Sequence, residues 1–229
     1  MHSVDQYLSG QTYDYEILAV NDGSTDKTSE VLSNLKTQIS KLKVINNKEN
    51  QGKGWVVRQG MLQATGDIRL FMDADNSTTI DQVVGMLPFL EQGYDIVVGS
   101  RRIKGASIAV KQPFWRDLLG SLFRFIVRLL VPVDVTDSQT GFKVFSQKAA
   151  ETIFPRQTIF RWAFDVEILT LARRFGFKIK EMPIVWMNDK QSHVTLKGMI
   201  NMLLEILHIR LNLMRGTYAK RTELNAQRI

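Results

Sequence analysis

The 229-residue chain contains no cysteine. That excludes a disulfide framework and thiolate metal sites, and it fits a reducing compartment. No uncharged apolar run reaches the roughly 18–20 residues that cross a bilayer. Met1–Gly10 lacks the apolar core of a secretory leader. There is no internal repeat and no low-complexity tract. The few histidines, His2, His193 and His208, show no ligand spacing, so they read as structural or surface residues. Acid is scarce in two stretches. Gly99–Val131 holds seven Lys/Arg against Asp117 alone, and Lys190–Ile229 holds seven against Glu205 and Glu223. This asymmetry points to an anionic partner: a membrane surface or a phosphate-bearing substrate. Nucleic acid is not expected, because the basic segments lack interleaved aromatics or a recognisable motif.

What remains is an ordinary folded composition, 44% hydrophobic and 23% charged, long enough for one large domain or a domain with an appendage. Strand and helix signals alternate: strand Tyr15–Val20, helix Thr25–Leu35, strand Lys43–Asn46, helix Gly54–Ala64, strand Ile68–Met72, helix Thr79–Glu91, strand Asp95–Gly99. This predicts an α/β fold, a mostly parallel sheet with flanking helices, its strand C-terminal ends gathered on one edge. Further on come a helix over Phe114–Val131, a strand at Gly141–Phe145 and a helix over Ala163–Arg174. One or two strands broken by Pro183 follow over Phe177–Trp186, then a helix over Thr195–Arg215 and a polar tail. The expected division is a catalytic domain over 1–190 and an amphipathic helix with its tail over 191–229.

The most informative stretch is Asp67–Ser77. An apolar strand ends in Asp73 and Asp75, whose side chains point the same way, roughly 6–7 Å apart at Cα. Two carboxylates so placed suit one Mg²⁺ or Mn²⁺ carrying a substrate diphosphate. Ligands of open α/β sheets bind at that edge. Asn21-Asp22-Gly23-Ser24 also follows a strand and opens a helix. It is either a well-capped junction or, through Asp22, a contact for a nucleobase or ribose. Gly52-Lys53-Gly54 is either a plain loop or a close backbone approach with a lysine near phosphate. Ser100-Arg101-Arg102 is a solvated turn or a phosphate site. Asp137 lies in a polar loop, and Asp165 is either functional or an acid favoured at a helix N-terminus.

Two helices carry a membrane-interface pattern. Arg124 and Arg128 share one face of 114–131 amid Leu118, Leu119, Leu122, Phe125, Ile126 and Leu129. Thr195–Arg215 combines Met199, Leu203, Ile206, Leu207, Leu211 and Met214 with Lys197, Arg210 and Arg215. Such helices lie on lipid headgroups or pack into a core or a dimer interface.

In order, VNDGSTDKT (20–28), NQGKGWVVRQGM (50–61), FMDADNST (71–78), IVVGSRR (96–102), DSQTGFKVF (137–145) and FDVEILTLARRFGFKIKEMPI (164–184) resemble a family-2 glycosyltransferase of the GT-A fold. The likeness is to the dolichyl-phosphate and polyprenyl-phosphate hexose synthases, above all the dolichyl-phosphate β-glucosyltransferase type. It covers most of Tyr15–Trp186. It implies that Asp22, Gly52, Lys53 and Asp73 bind the nucleotide-sugar, that Asp73 and Asp75 hold Mg²⁺ or Mn²⁺, and that Arg101 and Arg102 bind the acceptor phosphate. It puts Asp137 and Asp165 near the reacting centre. UDP-glucose is the favoured sugar donor and GDP-mannose the second, with polyprenyl or dolichyl phosphate as acceptor at the cytoplasmic face of a membrane. The family opens with an apolar strand ending in a Pro-x-Tyr-Asn-Glu-like motif. This chain starts at Met1-His2-Ser3-Val4-Asp5, in what would be the following helix. The expectation is a chain short of that strand, with exposed sheet edges that favour association with a second copy.

The expected chemistry is inverting transfer of a hexose, with the cation neutralising the leaving nucleotide diphosphate. A phosphate acceptor is largely ionised at neutral pH and needs little base catalysis. A sugar hydroxyl, the acceptor of polysaccharide synthesis, would need Asp137 or Asp165 as base. Two rivals remain: a phosphotransferase with Asp73 as nucleophile, which leaves Asp22 and the Gly52–Gly54 loop unexplained, and a non-catalytic protein that binds anionic membranes.

Overall fold

Short apolar runs bounded by polar turns make the strands. The computed structural model describes residues 1–108, 120–121, 125–187 and 196–219. The chain opens with α1 (His2–Ser9), β1 (Ile17–Asn21), α2 (Thr28–Gln38), β2 (Leu42–Asn46), α3 (Lys53–Gln63) and β3 (Ile68–Met72). Next come a 3₁₀ turn (Ile80–Gly85), α4 (Leu87–Glu91), β4 (Ile96–Ser100) and β5 (Ser107–Ile108). The remainder is β6 (Phe142–Ser146), α5 (Gln147–Ile153), α6 (Phe164–Arg174), β7 (Ile179–Pro183), β8 (Val185–Trp186) and α7 (Leu196–Met214).

The main sheet has the order β3-β6-β4-β7, and β1 pairs with β2 in a separate parallel ribbon. β5 and β8 form a small parallel pair. β4 and β7 run parallel, as the alternating pattern predicts. β6 is the exception: it lies antiparallel between β3 and β4. The consequence is functional. Phe142, the first residue of β6, sits opposite Met72, the last of β3, so the polar loop before β6 arrives at the edge where β3 and β4 end. Helix α3 packs against both β1 and β3.

The single helix expected over Thr79–Glu91 is two pieces, parted at Gly85–Met86, with Pro88 in the first turn of α4. Glycine there and a proline that cannot donate a backbone hydrogen bond account for the break. The strand break expected at Pro183 falls one residue later: Pro183 still pairs with Ser100, and Ile184 separates β7 from β8. Of the expected helix over Phe114–Val131, residues 114–119 and 122–124 lie outside the described residues, Arg124 among them, and 125–130 are helical.

Helix α6 is buried from Phe164 to Ala172 without interruption. It packs against α5 and α7, in a core shared with Phe71, Phe145, Phe154, Ile206 and Ile209. A helix enclosed on all sides must pair every charge it carries. Asp165 and Glu167 meet that requirement in different ways, one through an ammonium and the other through amides and hydroxyls.

Candidate active site

Strand β3 delivers Asp73 at its end. The Asp73 amide donates to the Gly141 carbonyl (2.9 Å), and a Cβ built on Gly141 would lie 2.0 Å from Asp73 Oδ2. Glycine at 141 therefore makes room for the carboxylate. Lys53, at the first turn of α3, reaches across to Asp73 Oδ1 at 2.6 Å. Asp75 is exposed, and its Oδ1 accepts from the Ser77 amide.

Asp22 follows β1, and its two carboxylate oxygens accept from the amides of Gln51 and Gly52, both at 2.8 Å. It thereby splints the loop before α3. Gly52 has φ +101° and a Cβ there would sit 2.5 Å from the Phe160 carbonyl, so only glycine lets the start of α3 approach residues 159–164. Asp22, Asn50, Gly52, Lys53, Val56, Arg161 and Trp162 line a cleft of about 340 Å³.

Behind Lys53 stands a buried pair. Lys143 on β6 is fully enclosed, and its ammonium donates to Asp165 Oδ1 at 2.5 Å and to the Thr140 carbonyl. It also lies 5.2 Å from the centre of the Phe71 ring. Burial pushes the Asp165 pKa up, against the pull of Lys143 and Lys53. Burial likewise lowers that of Lys143, against Asp165. For Lys53 burial also disfavours the charge, but Asp73, Asp165 and Asp75 outweigh it and raise its pKa.

The second pair is Arg101 and Asp137. The guanidinium donates twice to the carboxylate, at 2.8 and 2.9 Å, and the Arg101 amide adds a third bond. Burial works against the Asp137 anion, yet Arg101 prevails and its pKa is lowered. The Arg101 guanidinium also lies 5.0 Å from the Trp186 ring centre. Glu181 on β7 accepts from the Thr136 and Asp137 amides and so fixes the loop. Arg101 feels Asp165 and Asp73 as well as Asp137, which places both pairs in one electrostatic neighbourhood. Arg102 is exposed.

The structure thus gathers Lys53, Asp73, Asp75, Asp137, Asp165 and Arg101 at one sheet edge, with Asp22 and Gly52 on the neighbouring cleft. Sequence reasoning missed Lys143, Glu181, Arg161 and Trp162. Lys143 left a signal: a lysine amid the apolar residues of a strand is a local conflict that often marks a paired buried charge.

The oxygen donors fit a hard divalent cation. Among the described residues no group of three carboxylates, histidines or cysteines gathers, so this chain would supply at most the Asp73 and Asp75 carboxylates to such an ion, with Asp73 Oδ1 now held by Lys53. So few carboxylates are the pattern magnesium-type ions favour.

Residues 2–154 match the family described as Glycosyl transferase family 2. A dolichyl-phosphate beta-glucosyltransferase of Trichomonas vaginalis is 32% identical over 212 residues, 90% of this chain and 63% of that protein. The Homo sapiens protein of the same name is 34% identical over 220 residues, 90% of this chain and 66% of the relative. The chain thus spans just under two thirds of the relatives' length. Among solved structures, mannosyl-3-phosphoglycerate synthase from Rubrobacter xylanophilus superposes with TM-score 0.65 at 18% identity, covering 94% of this chain and 68% of the other. Glucosyl-3-phosphoglycerate synthase from Mycobacterium tuberculosis with uridine diphosphate gives TM-score 0.56 at 16% identity, covering 92% and 74%. These likenesses establish a GT-A-like fold.

Proposed function

Because the chain belongs to glycosyl transferase family 2, we propose that it transfers a hexose, glucose in the favoured case, from a nucleotide-sugar to a polyprenyl or dolichyl phosphate. One observation carries the choice of a phosphate acceptor. The two carboxylates considered as a base are already committed: Asp165 to Lys143 and Asp137 to Arg101. An acceptor hydroxyl would need one of them free, whereas a lipid phosphate arrives ionised. The names of the similar proteins agree with this acceptor and with glucose as the sugar, and UDP-glucose is the donor we favour over GDP-mannose.

In this reading a divalent ion on Asp73 and Asp75 supplies charge neutralisation at the leaving diphosphate. Asp22 holds the Gln51–Gly52 backbone against the nucleotide. Lys53 exchanges part of its contact with Asp73 for a phosphate oxygen. Asp165 and Lys143 hold the position of Lys53, and Asp137 orients Arg101, whose remaining N–H groups, with Arg102, meet the acceptor phosphate. The roles of Asp137 and Asp165 are to orient, and neither takes a proton.

The test is calorimetric titration of UDP-glucose and of GDP-mannose, with and without Mn²⁺. The wild-type chain should bind one of them only with metal, and Asp75→Ala should weaken that binding by at least about tenfold, the scale of one charge-assisted contact. Metal-independent binding, or binding untouched in Asp75→Ala, would sink the metal assignment.

We further place the reaction at a membrane surface, on the cytoplasmic face that a cysteine-free chain suits. No helix among the described residues is long and apolar enough to cross a bilayer. On α7, Ile200, Leu204, Leu207, Leu211 and Met214 are exposed, and their spacing of four, three, four and three puts them on one face. Arg210 and Arg215 are exposed beside them. The only acid of α7, Glu205, faces the protein and accepts from the Ala163 amide. An apolar stripe edged by cations suits anionic lipid better than a second copy carrying the same cations. Leu204→Glu with Leu211→Glu should cut binding to phosphatidylserine vesicles about tenfold or more while leaving the melting temperature unchanged. Sedimentation with vesicles reads the outcome, and undiminished binding would overturn this placement.

A further inference from the structure

The segment between the 3₁₀ turn Phe154–Arg156 and α6 has no regular structure, yet nearly every residue of it is fastened. Gln157, fully buried, donates to the carbonyls of Gly54 and Ile159 at 2.9 and 2.8 Å. The amides of Thr158 and Ile159 and the Thr158 hydroxyl all donate to the buried carboxylate of Glu167 on α6. Burial raises the Glu167 pKa, and these donors act against it. The Tyr218 hydroxyl joins the same carboxylate at 2.8 Å, and Asn212 on α7 donates to Thr158 Oγ1 at 3.0 Å. The Phe160 carbonyl accepts from the Trp55 amide, and the two rings meet edge to face at 4.9 Å. The Ala163 amide closes the segment on Glu205 of α7 at 2.8 Å.

Arg161 and Trp162 stand apart. Both are exposed, Trp162 by 57%, and both line the cleft with Asp22 and Lys53. Arg161 makes no close ion pair among the described residues, and the charge it feels is that of Glu205, through space. The other cations near the cleft are engaged: Lys53 with Asp73, Arg101 with Asp137, Lys143 with Asp165. A guanidinium whose N–H groups have no direct partner and an indole left wet, on a loop whose neighbours are held on three helices, are available to a ligand.

We propose that residues 157–163 form a preorganised substrate loop, in which Arg161 binds a phosphate group and Trp162 covers the moiety beside it. Glu205 is a positioning residue: it fixes the loop from the inner side of α7, the helix whose outer side carries the apolar stripe. The inference rests on the transferase reading. The phosphate has two possible sources, the diphosphate of the sugar donor and the phosphate of the lipid acceptor, and Arg161 is chemically suited to both.

The experiment pairs calorimetry of UDP-glucose with Mn²⁺ and transfer kinetics on dolichyl phosphate, for wild type, Arg161→Gln, Glu205→Ala and Glu205→Gln. Losing one charge-assisted bond should cost roughly 10- to 100-fold in one constant. A weaker donor Kd at constant acceptor KM assigns the phosphate to the donor. A raised acceptor KM at constant donor Kd assigns it to the lipid. Glu205→Ala should move the same constant as Arg161→Gln. Glu205→Gln, whose amide oxygen still accepts from the Ala163 amide but no longer attracts Arg161, should recover part of it. If both constants stay within about twofold of wild type in a folded Arg161→Gln, the proposal fails. Should the wild-type chain bind no nucleotide-sugar, the transferase reading falls by itself, and titration with pyrophosphate decides the loop. Binding lost in Arg161→Gln upholds it, and absence of binding to wild type overturns it.

Discussion

Asp165→Ala is expected to cost about 3–5 kcal/mol of stability, the scale on which proteins respond when one member of a buried ion pair is removed. The reason lies in what is left behind. Lys143 has no exposed surface, and its ammonium has two hydrogen-bond acceptors, Asp165 and the Thr140 carbonyl. Without the carboxylate, the folded state must keep a charge with one neutral partner or expel a proton. By contrast, the exposed pair Lys41–Asp14 should lose little on truncation. The double variant Lys143→Met, Asp165→Leu replaces the pair with apolar groups and should recover most of the loss. Urea unfolding with a constant m-value reads all three. A cost below about 1 kcal/mol for Asp165→Ala, or a double variant as unstable as the single, would show that the pair is not charged in the folded protein. Recovered stability is not expected to bring back transfer, because Asp165 also acts on Lys53.

That pair also marks where the sequence stops being legible. Local pattern was enough for β1, β2 and β3, since apolar runs end there in Asp22 or Asp73 and in turn-forming residues. It also gave α6 and α7 to within a residue or two. It was not enough for β6. Phe142–Ser146 reads as a strand in either direction, and only pairing with Met72 on one side and Val98 on the other makes it antiparallel. Contacts across long separations were equally hidden. Arg101 and Asp137 both appeared as candidates, but nothing local says that they neutralise each other 36 residues apart. Arg161 and Trp162 gave no signal, because their significance comes from the fastening of their neighbours by Glu167 and Glu205 on two different helices. Motifs show which groups carry chemistry; the tertiary structure decides which of those groups are still available.

Gly141→Ala should reduce metal-dependent donor binding and transfer by about 10²-fold, the effect of displacing a catalytic contact by roughly 1 Å, while the fold survives. The backbone at Gly141 is outside the left-handed region, so alanine brings no conformational penalty there. The collision is with a side chain. The new methyl would lie 2.0 Å from Asp73 Oδ2, 2.1 Å from its Cγ and 2.3 Å from Oδ1, and contacts under 3.0 Å force a shift. Two responses are open. Either the carboxylate swings away and gives up Lys53, now at 2.6 Å, or the strands part and the bond from the Asp73 amide to the Gly141 carbonyl lengthens. Both move Asp73 from the position in which it would hold the proposed cation with Asp75. Gly10→Ala is the control: Gly10 has φ −84° and its nearest contact is 3.6 Å, so that variant should match wild type in binding and transfer. Calorimetry with Mn²⁺ and a melting curve for each variant separate a displaced carboxylate from a damaged fold. Full activity in Gly141→Ala would mean that the site tolerates a shifted Asp73 and that Asp75 alone carries the metal.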